Sequence, residues 1–148
     1  MTEKSLWRKA ERYFKNQKDG FIVFGGVFDD KVIELDFGMR FTEIYANPRI
    51  NEDLKKVAFS YGPIVLCAEG CDNKNLYGTF IPNGDLSPVV KKNKETVIKA
   101  VINARFYKTI NSLYSDKQPK SAKTSLTLIP YFAWANRTES DMKIWFPY

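Results

Sequence analysis

Histidine is absent from the 148 residues, and the lack excludes a good deal of chemistry. Without an imidazole, neither a Ser-His-Asp nor a Cys-His nucleophile system can be assembled within the chain. A histidine-based zinc site is excluded as well. Cysteine is scarce: Cys67 and Cys71 are two thiols, too few for a disulfide framework. No apolar run reaches the roughly 20 residues that a membrane span needs, so no membrane partner is expected. The opening Met1-Thr2-Glu3-Lys4-Ser5 leads into a charged segment and not into the apolar core of a secretory signal, which makes a cytoplasmic protein the expectation. Acid is in deficit, with 17 Asp and Glu against 23 Lys and Arg and a net charge of +6. The basic residues are nevertheless dispersed among the acids. Their densest groups are Arg8, Lys9, Arg12, Lys15 and Lys18, and then Lys91, Lys92 and Lys94. The charge therefore reads as a solubility term, and no nucleic-acid partner is expected. The chemistry left open is a carboxylate pair, a lysine, or a cysteine–carboxylate site.

Apolar residues make up 44% of the chain and aromatics 15%, enough to fill one core and of a kind that suits strands. Residues 5–17 read as a short amphipathic helix, because Leu6, Trp7, Ala10, Tyr13 and Phe14 recur at helical spacing. Asp19-Gly20 stops that pattern. From there the period shortens. Strands are expected at 21–24, 31–37, 41–45, 56–61, 63–68, 76–81, 124–134 and 142–146, separated by Gly-, Pro- and Asn-containing turns. Residues 96–107 fit either a helix face or a strand, and their β-branched content favours strand. Residues 115–123 read as a polar loop. The fold expected is all-β: an antiparallel β-sandwich, jelly-roll-like, over residues 20–148, with a short N-terminal helix within residues 1–19.

Three stretches carry a more specific pattern. The first is Tyr45-Ala46-Asn47-Pro48-Arg49-Ile50, followed by Lys56-Val57-Ala58-Phe59. The second is Tyr61-Gly62-Pro63-Ile64-Val65-Leu66-Cys67-Ala68-Glu69 with Asp72-Asn73. The third is Leu128-Ile129-Pro130-Tyr131-Phe132-Ala133-Trp134-Ala135-Asn136-Arg137, with Met142-Lys143-Ile144-Trp145 after it. In this order and spacing they resemble the region after the catalytic barrel in glycoside hydrolase family 127, the β-L-arabinofuranosidase-like enzymes, over about residues 20–147. The resemblance implies β-sandwich modules that follow a long α/α barrel. It also implies that the family's cysteine nucleophile, glutamate acid/base and zinc-thiolate arrangement belong to that barrel. Cys67 lies in the sandwich motif, so no catalytic residue, metal ligand or cofactor site carries over to this chain. The first 18 residues depart from the family pattern. A stand-alone descendant, a truncated gene product and an excised domain all remain open readings.

Each residue with chemical potential has a structural reading beside the functional one. Cys67 and Cys71 could be a metal or redox pair, but zinc would need about four ligands. The plainer reading makes Cys67 a small buried residue on a strand, with Cys71 in the next loop. Glu69 and Asp72 could be a glycosidase carboxylate pair, or loop residues with Asp72 or Asn73 bonding nearby backbone amides. Trp134, Asn136 and Arg137 are the carbohydrate-binding candidates: an indole stacks on a sugar face, and an amide and a guanidinium bond its hydroxyls. Their structural reading packs Trp134 in the core and uses Asn136-Arg137 to tie the strand end to a neighbour. Tyr131 and Trp145 are expected in the core or between layers. Trp7, Tyr13 and Phe14 either cover an open sheet edge or dock a partner. The expected function is a non-catalytic accessory sandwich that braces or docks a catalytic barrel, separately encoded, or that self-associates. The alternatives are a stand-alone carbohydrate-binding module and a glycosidase fragment with no independent role.

Overall fold

The structure, a computed structural model, describes residues 14–18, 21–25 and 38–148. They fall into two units, divided after Leu35. In the first, β1 (Phe14–Lys18) and β2 (Phe21–Gly25) pair antiparallel, from Lys18 opposite Phe21 to Phe14 opposite Gly25. The intervening sequence is Asp-Gly, the dipeptide that two-residue hairpin turns favour. Residues 14–17, expected to end a helix, are therefore strand. A helix of this length is marginal on its own, whereas a strand partner supplies every second backbone group with a hydrogen bond. Residues 5–13 of the expected helix and the expected strand at 31–37 lie outside the described residues.

The second unit contains β3 (Phe41–Tyr45), β4 (Lys56–Tyr61), β5 (Ile64–Glu69), β6 (Thr79–Phe80), β7 (Val89–Asn93), β8 (Val97–Tyr107), β9 (Ser121–Pro130), β10 (Met142–Lys143) and β11 (Phe146–Pro147). Its helical segments are two three-residue 3-10 turns, at Asn51–Asp53 and Tyr131–Ala133. Among the described residues, no helix is long and apolar enough to cross a membrane. All pairings are antiparallel. The all-β expectation is met, and the two layers are halves of one curled sheet. Its order is β11-β4-β5-β9-β8-β6, with β3 added to β4, β7 to β8 and β10 to β5. The curl brings the two ends of that order together: the Ile81 N–H, just after β6, donates to the Pro147 carbonyl of β11 at 2.7 Å. A sheet bent in this way covers part of its own edges.

Alternation along β8 and β9 builds the inner face. Ile98, Ala100, Ile102 and Ala104 point inward from β8, and Leu126 and Leu128 from β9. The register sets Ile102 opposite Leu126 and the small Ala100 opposite Leu128. Phe59 of β4, Leu66 and Ala68 of β5, and Phe146 of β11 fill the rest of the core. Residues 96–107 settle as strand because β9 and β7 flank them on both sides, and a β-branched run then packs well. β7 was not anticipated. Only Val89-Val90 signals it before Lys91-Lys92, and those exposed lysines suit a strand that pairs on one side. β9 starts at Ser121, inside the expected polar loop, because Tyr107 of β8 offers a partner there. It ends at Pro130, where the missing N–H stops the ladder, and residues 131–133 turn into a 3-10 segment in place of the expected strand. Of the strand expected at 76–81, only Thr79-Phe80 pairs.

β5 is buried on both faces. Leu66 and Ala68 face the main core, while Cys67 joins Ile129, Ala133, Met142 and Ile144 in a second cluster on the outer side. The chain after β9 thus lies as a strap over the outer face of β5. Its end is woven into the sheet. β4 pairs with β5 only at Phe59–Tyr61, after which β11 takes Val57 and Lys56, and β10 takes Ala68 and Glu69. Phe146 is fully buried with its ring 6.3 Å from that of Phe59. Replacing it by alanine is expected to cost about 3–5 kcal/mol. Urea titration is expected to show a lower midpoint at unchanged slope.

Candidate functional site

Side chains alternate along β5, so Glu69 emerges on the same outer face as Cys67, beneath the strap. Its side chain has no exposed surface. A carboxylate in that position must be paired and hydrogen-bonded where it lies. One oxygen accepts the Ala135 N–H at 2.8 Å, and the other accepts from Arg137 Nη2. Arg137 also grips Asp72 with both terminal nitrogens, Nη2 to Oδ2 at 2.6 Å and Nη1 to Oδ1 at 3.2 Å. Lys99 of β8 reaches the same Asp72 Oδ1 at 3.2 Å. Two carboxylates and two cations therefore interlock four segments of chain. The turn that delivers Ala135 is strained: its φ is +61°, a left-handed conformation that costs an alanine about 1–2 kcal/mol. The hydrogen bond to buried Glu69 holds it there.

The loop after β5 is fixed just as closely. Asn73 is buried, and its amide stands in for a strand. Oδ1 accepts the Thr127 N–H at 2.8 Å, while Nδ2 donates to the Thr127 carbonyl at 2.9 Å and the Glu69 carbonyl at 2.8 Å. Past the Cys67–Ile129 pair, where the β5–β9 ladder stops, this side chain continues it. The strap is pinned from the same loop, with Gly70 N–H to the Asp141 carbonyl at 2.9 Å and Cys71 N–H to Ser140 Oγ at 2.8 Å. A Cβ on Gly70 would lie 3.1 Å from that hydroxyl, so the close approach favours glycine.

The electrostatics follow from the geometry. Hydrogen bonds from Arg137, then from Lys99, hold the Asp72 carboxyl below its ordinary range against the effect of burial. Arg137 is driven higher still, first by Asp72 and then by Glu69. Burial, reinforced by the Glu69 charge, pushes the Cys67 thiol up to about 12. Cys67 is thus an inert buried residue on a strand and Cys71 an exposed loop thiol, both free. Ligand atoms of Glu69, Cys71 and Asp72 lie within 4.8 Å of one another, a spacing that suits a metal ion. The Arg137 guanidinium already serves that cluster as its cation, with Nη2 3.6 Å from Cys71 Sγ.

Sequence reasoning grouped Trp134, Asn136 and Arg137, and the structure gives them different surroundings. Arg137 is engaged by two carboxylates. Asn136 is exposed, with its amide 3.5 Å from the Phe132 carbonyl. Trp134 is 40% exposed and not in the core; its Nε1 donates to the Ser140 carbonyl at 3.2 Å. It lines an open cleft of about 610 Å³ with Tyr77, Lys74, Glu139 and Asp141. Glu69 and Asp72 share one guanidinium and do not face each other across a sugar cleft. Asn73, not Asp72, does the backbone bonding anticipated for this loop. Tyr131, expected in the core or between layers, is 45% exposed because the strand alternation ends at Pro130; its ring lies 6.3 Å from that of Trp134. Trp145 is half-buried. Lys99, Tyr77 and Glu139 carried no signal of their own. The opposite charges in the second and third motifs were the available clue to the Arg137 pairing.

Removing Arg137 leaves Glu69 buried and uncompensated, so Arg137→Ala is expected to destabilise the fold by about 3–5 kcal/mol in denaturant titrations. The lowered Asp72 pKa also sets a pH dependence. The stabilisation it contributes is fully present above the unfolded value near about 4, and is lost as pH falls from there through the folded value. Unfolding titrations between pH 6 and pH 2 are expected to show this loss in the wild type and a shallower slope in Asp72→Asn.

Comparison with known proteins agrees with this architecture. The pattern of the glycoside hydrolase family 127 C-terminal domain matches residues 41–147. The non-reducing end β-L-arabinofuranosidase of Bifidobacterium longum subsp. longum is 29% identical over 141 residues, covering 86% of this chain and 21% of that protein. The solved family 127 β-L-arabinofuranosidase of Geobacillus stearothermophilus T6 superposes with a TM-score of 0.67 at 31% identity, over 74% of this chain and 18% of that one. A second solved family 127 β-arabinofuranosidase gives 0.64 at 28% identity, over 91% of this chain and 24% of that one. The chain therefore spans about a fifth of the length of these relatives. On the family pattern, which spans residues 41–147 and whose second and third motifs are joined through Arg137, this chain belongs to the C-terminal domains of glycoside hydrolase family 127.

Proposed function

We propose that the chain is a non-catalytic accessory β-domain that braces or docks a catalytic barrel. One observation carries this reading. Glu69 and Asp72, the closest approach to a glycosidase carboxylate pair in the motifs, are both spent on Arg137, and the nearby Cys71 thiol lies against the same guanidinium. Such a lattice stiffens a strap and leaves neither member of this pair free to act as acid or base, whereas glycoside hydrolysis needs two carboxyls facing a sugar. The match to a C-terminal domain, and to about a fifth of each arabinofuranosidase relative, supports the same reading.

A second reading, carbohydrate binding, is favoured by the placement of Trp134 in an open cleft beside carboxylates. The two functions are compatible, since a bracing domain can also hold substrate near a barrel.

Two measurements test the leading proposal. The purified chain is expected to give no turnover of aryl arabinofuranosides. Added to the Bifidobacterium relative from which the matched segment has been deleted, it is expected to bind and raise that protein's melting temperature. Turnover by the chain alone would overturn the non-catalytic reading. Failure to associate would overturn the bracing role.

A further inference from the structure

The cleft between the loop after β5 and the strap after β9 has the make-up of a ligand site. Its two walls are rigid for reasons already given: Gly70 and Cys71 are bonded to Asp141 and Ser140 across its base, and both walls are anchored by the Arg137 lattice. The volume, about 610 Å³, lies within the range typical of small-molecule sites. Leu76, almost fully buried, is part of the lining.

Two aromatics line this space while remaining well exposed, Trp134 at 40% and Tyr77 at 73%. The Trp134 ring is held by its edge through Nε1 to the Ser140 carbonyl, and Tyr131 stacks with it. An immobilised, solvent-facing indole loses little entropy when a ligand covers it. Glu139, Asp141 and Lys74 complete the lining. Among the described residues, neither Glu139 nor Lys74 forms an ion pair. Carboxylates accept strongly from hydroxyls, and an ammonium donates to them. These three charges sum to −1, which disfavours an anionic ligand. Apolar ring faces beside strong hydroxyl acceptors and a donor, in a cleft of slight negative charge, match an uncharged polyol ring with one apolar face.

We infer that this cleft binds a neutral oligosaccharide, with Trp134 and Tyr77 as the stacking surfaces and Glu139, Asp141 and Lys74 as the hydroxyl partners. The site rests on the carbohydrate-binding reading and relocates it. Arg137 and Asn136 leave the ligand shell, and residues from the loop after β5 enter it. Arg137 acts on the ligand only by holding the walls.

The test is a titration of the full chain, followed by backbone amide NMR shifts, with neutral arabino- and xylo-oligosaccharides and, in parallel, with oligogalacturonates. Tyr77→Ala, Glu139→Gln and Trp134→Phe are titrated alongside. The first two alter exposed side chains and are expected to leave the fold intact. The expected result is saturable binding of a neutral oligosaccharide with a dissociation constant on the order of 1 mM, with shifts at residues 70–77 and 134–141. Glu139→Gln is expected to weaken it about tenfold, as the exchange of a charged hydrogen-bond acceptor for a neutral one should. Tyr77→Ala is expected to weaken it by a similar factor. Saturable binding that all three variants leave unchanged overturns this site while the carbohydrate reading stands. Preference for the oligogalacturonates overturns the ligand class. No saturable shift with any of these sugars overturns the site and the carbohydrate reading together.

Discussion

A carboxylate with no exposed surface has to be neutralised where it lies, and Glu69 is neutralised by a guanidinium 68 residues further along the chain. That pairing draws the segment after β9 back across the outer face of β5. Once it is there, Cys67 and Ile129 have a second layer to pack against, and the last strands have a place between β4 and β5. A buried ion pair adds little net stability over an apolar substitute of the same volume. Its effect here is specificity. Only one register of the strap sets the Ala135 N–H and the Arg137 fork on Glu69 while β10 pairs with Ala68 and Glu69.

The same constraint shapes the functional reading. Groups that in isolation suggest catalysis or metal binding (Glu69, Cys71, Asp72) are drawn into one charge-balanced cluster. What the cluster releases is on its far side. The loop after β5 and the strap are clamped at a fixed separation, and Trp134 and Tyr77 are held open between them. The proposed accessory role and the proposed sugar-binding cleft both draw on this one arrangement, the first on its stiffness and the second on the fixed separation of the walls.

Legibility in the sequence varied with the range of the forces involved. β3 and β4 were readable residue for residue, since Phe41–Tyr45 and Lys56–Tyr61 are short β-rich runs ended by Asn-Pro and Gly-Pro. Cys67 was readable as a small buried strand residue. β7, the early start of β9 and the helix-like residues 14–17 were not readable, because in each the neighbouring strand supplies the hydrogen bonds that propensity does not. At the site, the ingredients were visible but their partners were not. The sequence offers Arg137 a strand-end tie or a sugar, and its grip on Glu69 and Asp72 exists only once the fold brings two distant loops together. Tyr131 was misplaced because a proline ended the alternation on which the core assignment depended.

Local chemistry in the sequence determined the all-β class, most strand positions, the thiols' separate roles and the family motifs, because turns, alternation and β-branching act over a few residues. Tertiary structure decided that the sheet curls until Ile81 meets Pro147, that the strap crosses β5, and which side chains of two distant loops line a cleft. Those outcomes depend on where a buried charge finds its counter-charge, and that distance in space is not written in distance along the chain.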